Sequence, residues 1–183
     1  MIKSLVIFVL GLAVIHTAFL PQSFTSTQDD DSISQVQQLF NGFWAAGGLD
    51  EPTGLAAKCF DENTAALVIT AMNETMAYLV VNNIVKAIQT VSKFYRQVPP
   101  SLNDCMNNDS HVQEMYQAYG VVNMTVAQLN QRVLTYVLSH LEKVHGEIVV
   151  LNNDFQAENY YQVGQDGGKF ALDVFNSSSL AYY

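Results

Sequence analysis

Two cysteines, four histidines and a few paired carboxylates are the residues of this chain whose types could carry chemistry. His111 and Glu114 stand three apart, which places them on one face of a helix, where two metal ligands could meet. His140 and His145 stand five apart and face different ways on a helix. The sequence holds no His-Glu-x-x-His, no cysteine pair at metal spacing and no calcium-loop pattern, so no metal or cofactor is expected. No Gly-x-Ser-x-Gly elbow supplies a nucleophile. Asp154 and Glu158 lie one helical turn apart and could act as a general acid and base if a cleft gathered them with His140 or His145. Asp50/Glu51 and Asp61/Glu62 read as loop and cap residues, where negative charge suits a helix N-terminus. Gly164-x-x-Gly167-Gly168 is too sparse for a phosphate loop.

The elements that position these residues begin with a leader. Lys3 precedes an apolar run from Leu5 to Ile15, and Ala18 offers a cleavage point. Residues 1–18 read as a secretory signal peptide. The run falls short of the roughly 20 residues that span a bilayer, which disfavours an uncleaved anchor and predicts no stable membrane insertion after cleavage. The mature chain is then about 165 residues long and secreted, or held in the lumen of an endomembrane compartment.

Secretion makes a Cys59–Cys105 disulfide the default. It also turns Asn73, Asn108, Asn123 and Asn176, each in an Asn-x-Ser/Thr motif, into candidate glycosylation sites. Seventeen acidic residues against eight basic ones give a net charge of −9. That sign argues against nucleic acid and anionic membrane surfaces.

Helical spacing dominates the rest. Residues 19–31 are polar and read as a flexible N-terminus, and 32–175 as one helical domain. Ile33, Val36, Phe40 and Phe43 or Trp44 mark a first helix that Gly47-Gly48 stops. Asp61 caps a long pattern from Ile69 to Val98, ended by Pro99-Pro100. A shorter helix lies within 101–119, interrupted near Asn107–Ser110. Thr125 caps a second long pattern from Val126 to Phe155, which runs through Gly146 and the β-branched run Ile148–Val150. The two long patterns share their steps at an offset of 57 residues, but too few identities match to support a duplication. The second long helix is expected to continue through Tyr160, Tyr161 and Val163 to Gly164, followed by a turn over 165–168, a short strand or helical turn over 170–175, and a loose tail over 176–183. The fold class is therefore all-α: an irregular helical bundle with two long amphipathic helices and two or three shorter ones.

The cysteines constrain that picture. A straight helix from Glu62 to Val98 would be about 55 Å long. Cys59 and Cys105 would sit at its opposite ends, and the linker after Val98 reaches at most about 25 Å. A disulfide needs Cα atoms within about 7 Å. An intrachain bridge thus requires a break, placed near Asn73, where a glycan would otherwise meet the apolar face. The other solution is an interchain bridge.

Aromatic residues suggest contact surfaces. Phe43 and Trp44 cannot both occupy the centre of a stripe fixed by Ile33, Val36 and Phe40, so one is expected to face a partner or ligand. Tyr160 and Tyr161 cluster near the chain's end and are further interaction candidates. The expected function is a non-enzymatic, secreted, acidic glycoprotein mediating protein interaction or self-assembly. The alternatives are a helical carrier of an apolar ligand or lipid, for which the methionines offer adaptable walls, and a hydrolase with an unrecognised site.

Overall fold

The computed structural model describes residues 29–81 and 83–176. The signal peptide, most of the flexible N-terminus and nearly all of the tail lie outside the described residues. The described residues form nine helices and no strand. They are α1 (Asp29–Ala46), α2 (Leu55–Cys59), α3 (Glu62–Val80), α4 (Ile84–Gln97), α5 (Pro100–Asn108), α6 (Ser110–Ala118), α7 (Val126–Ser139), α8 (Leu141–Gln156) and α9 (Tyr160–Asn176). The all-α bundle is as the spacing predicts. Neither long pattern is a single helix.

α1 is the centre of the fold. It starts at Asp29, within the segment expected to be flexible, and acidic residue types suit a helix N-terminus. Only Ser34 and Gln38 are exposed between Ser32 and Ala46. α9 packs along it, with α2 and α3 on its other sides. Gly48 takes the left-handed conformation, φ 68°, and Leu49 N–H donates back to Trp44 O at 3.1 Å, which closes the helix. The Gln37 amide then clamps the loop after it. Gln37 donates to Pro52 O and accepts from Ala56 N–H, both at 2.9 Å.

α9 departs from the expected helix, turn and strand: it is one helix through all its glycines. Glycine weakens a free helix, but here Gly164 and Gly168 each admit a neighbour. An added Cβ at Gly164 would lie 2.9 Å from Leu39 C and 3.0 Å from Leu39 Cα. At Gly168 it would meet Ala46 Cβ at 2.5 Å and the Tyr119 hydroxyl at 2.7 Å. From the other side, a Cβ at Gly42 would lie 2.7 Å from Gln165 N. The glycines let the α1 and α9 backbones touch, and tertiary packing overrides the local propensity.

The first long pattern breaks between the end of α3 at Val80 and the start of α4 at Ile84, not near Asn73, which lies within unbroken α3. The Asn83 side chain accepts from Lys86 N–H at 3.1 Å and starts α4, and Asn83 N–H donates to Tyr78 O at 2.8 Å. Nineteen residues out and fourteen back are about 28 and 21 Å, so the α3–α4 hairpin returns the chain close to its origin. α5 covers the remainder, and Cys59 bonds Cys105 within the chain, with Cα atoms 5.6 Å apart.

The second long pattern breaks at His140 rather than running on to Phe155. The Ser139 hydroxyl lies 2.7 Å from Thr135 O, and His140 Nδ1 lies 3.0 Å from Tyr136 O. These side chains occupy carbonyls that a continuing helix would use. Thr125 and Gln128 form the reciprocal capping box that starts α7. Gly146 and the run Ile148–Val150 are helical, as read.

Candidate functional surface

The aromatic candidates on α1 are interior residues. Phe43 and Trp44 are 0% and 1% exposed. Trp44 Nε1–H donates to His111 O at 3.1 Å, and Phe43 stacks on Tyr119 at 4.8 Å. The Tyr119 hydroxyl donates to Phe43 O at 2.7 Å. α1 is covered on several sides rather than along one stripe, so it has room for both. Tyr160 is also buried, edge-on to Phe155 at 5.5 Å, and Tyr161 is half-buried. Phe43, Trp44 and Tyr160 therefore present no surface to a partner.

The cysteine region is a structural knot. Beside the disulfide, buried Asp109 receives Lys58 Nζ at 2.6 Å and His111 N–H at 3.0 Å, and its Oδ1 also lies 3.1 Å from His111 Nδ1. Burial opposes the charge on Asp109, but the hydrogen bonds from Lys58 and His111 outweigh it and hold the carboxyl below its ordinary range. His111 is thus paired with Asp109, not with Glu114.

The candidate acid–base residues do not converge. His140 stacks on Tyr136 at 4.4 Å, at the start of α8. Asp154 lies fourteen residues on, about 20 Å along the helix axis. Glu158 follows the helix in the left-handed region, φ 57°. Among the described residues no cluster of three His, Cys, Asp or Glu side chains could hold a metal.

A charged cluster that the sequence reading missed joins α7, α8 and α9. The Lys143 ammonium contacts the Tyr136 hydroxyl at 3.1 Å, Glu147 at 3.6 Å and the Asp173 carboxylate. The hydrogen bonds to Asp173 and Tyr136 push the Lys143 pKa up. Glu147 is raised by burial, and its Oε2 is buried without a hydrogen bond. Asp154 is raised by burial and by neighbouring Asp166.

The sequons differ in setting. Asn108 and Asn123 are exposed at a helix end and in a turn, and Asn176 is exposed at the end of α9. Asn73 is half-buried, and Thr75 of the same motif is buried. Methionines 72, 76, 106 and 115 fill the core.

The unaccounted surface lies on α7 and α8. Leu134, Leu138 and Leu141 are 56%, 66% and 56% exposed, with Val149 and Val150 exposed further along α8. The signal was present as a second apolar row, Leu134–Leu138–Leu141, beside the core row Leu129–Val133–Tyr136. No described helix is long and apolar enough to cross a membrane. Comparisons with protein families, curated proteins and solved structures give no match.

Proposed function

We propose that this chain is a non-enzymatic, secreted, acidic glycoprotein that works by binding protein through the aliphatic surface of α7 and α8. The exposure of Leu134, Leu138 and Leu141 carries the reading. Single exposed leucines are ordinary, but a cluster on neighbouring turns leaves apolar area in water that a partner would remove. The scattered acid–base residues support a binding role over hydrolysis. The sequons assign glycans to Asn108, Asn123 and Asn176. Half-buried Asn73, in an unbroken helix, is assigned none.

The test is expression of the full chain in a secreting cell. The expected product is recovered from the medium, loses mass on enzymatic deglycosylation, and shows glycopeptides at Asn108, Asn123 and Asn176. Its protein association should be lost in Leu134→Ser/Leu138→Ser, with helix content unchanged. A cytosolic product without glycans refutes the secretory part. An association indifferent to both leucines refutes the binding surface.

A further inference from the structure

We infer that the occupant of the α7 face is a second copy of this chain, packed antiparallel through α7 of each copy; the inference rests on the protein-binding reading above. Charge favours a like partner. Arg132 is the only charged residue of α7, and its guanidinium is held on Phe175 O rather than on the outer face. The outer face carries Ala127, Gln128, Gln131, Leu134, Thr135 and Leu138, all exposed. A charged partner finds no complement there, and membrane-surface helices carry Lys and Arg on their polar face, which this face lacks. For a chain of net charge −9, an uncharged face is where two copies meet with the least repulsion and without burying a charge.

Shape favours the same partner. A twofold contact requires a self-complementary patch. With the axis between Arg132 and Val133, antiparallel pairing sets Leu138 of one copy over Ala127 of the other, large against small. Gln131 falls opposite the mate's Leu134, where its amide can both donate and accept along the rim. The row from Ala127 to Leu138 is about 17 Å long. One helix per copy makes a small interface, so micromolar association is expected.

Sedimentation equilibrium of the secreted full chain tests this. Wild type should pass from monomer to dimer with concentration. Leu138→Glu should raise the dissociation constant at least about 100-fold, because each dimer would bury two unpaired carboxylates. Ala127→Leu, a change at an exposed position, should do the same by filling the space that Leu138 enters, with circular dichroism unchanged. A dimer indifferent to Ala127→Leu overturns the antiparallel pairing, and one indifferent to Leu138→Glu overturns the face. A wild type that stays monomeric, bound to lipid vesicles or not, overturns the second copy. In that case the protein-binding reading still stands or falls on the leucine-to-serine test above.

Discussion

Gly164→Ala should destabilise the protein, although local propensity says the opposite. Alanine in a helix interior is favoured over glycine by about 1 kcal/mol. The new methyl at Gly164, however, would lie 2.9–3.0 Å from Leu39 C and Cα and closer still to Leu39 O. All of these are backbone atoms, so no rotamer change relieves them. Carbon contacts settle near 3.5–4.0 Å, so α1 and α9 must part by roughly 1 Å, and a gap of that size forfeits a quarter to a half of each dispersion contact it opens. Overpacking of this kind costs about 1–3 kcal/mol, and a backbone-on-backbone clash belongs at the upper end. The net expectation is a loss of about 2 kcal/mol, or roughly 4–8 °C in Tm for a chain of this size. Gly146→Ala is the control. Gly146 sits within α8, and a Cβ there meets nothing within 4 Å, so that variant should gain up to about 1 kcal/mol. Urea unfolding of both variants reads the two signs. A Gly164→Ala protein as stable as wild type would refute the close-approach account of α9.

Cys59→Ser/Cys105→Ser should lose about 4 kcal/mol on the chain-entropy account, given the 46-residue separation, as measured by urea unfolding. Trp44→Phe should cost about 1 kcal/mol by losing the indole N–H donation to His111 O, and should leave any self-association unchanged in sedimentation. The pH profile should have two limbs. Glu147 and Asp154 have raised folded pKa values, so their stabilising share is complete below the unfolded carboxylate range and fades as pH rises through the raised values. Stability should therefore increase as pH falls from neutral toward the ordinary carboxylate range, and Glu147→Gln should flatten that limb in thermal melts. Asp109 is depressed, so its share is present above the unfolded range and lost as pH falls through its lowered value; Asp109→Asn should weaken the acid-side decline below about pH 4.

Local signals were the most legible part of this fold. Asp61 and Thr125 cap helices because a side-chain oxygen next to free N–H groups needs no distant partner. The Gly47-Gly48 stop is equally local. The two breaks were harder to place, because the three-four spacing of apolar residues continues through both. Between α3 and α4 the decision rests with the Asn83 cap and the cysteine geometry, and at His140 with side chains that compete for carbonyls. Gly164–Gly168 looked like a turn because the sequence alone does not reveal that α1 lies against it. Phe43 and Trp44 were misplaced for a related reason: a single-stripe picture assumes one wet side, and α1 has almost none. The exposed leucines of α7 were overlooked because the core row beside them already satisfied the helical pattern.

A close backbone approach joins residues about 120 positions apart, Gly42 with its neighbours on α1 and Gly164 with its neighbours on α9. During synthesis α1 leaves the ribosome long before the helix that completes its surroundings exists. Its apolar sides, Phe40, Phe43 and Trp44 among them, must wait in an unfinished state while α2–α8 are added. Contacts of such long range slow folding and favour aggregation or chaperone capture of intermediates. A ribosome stalled before Tyr160 should therefore hold a protease-sensitive chain, and protection should arrive in one late step when α9 emerges.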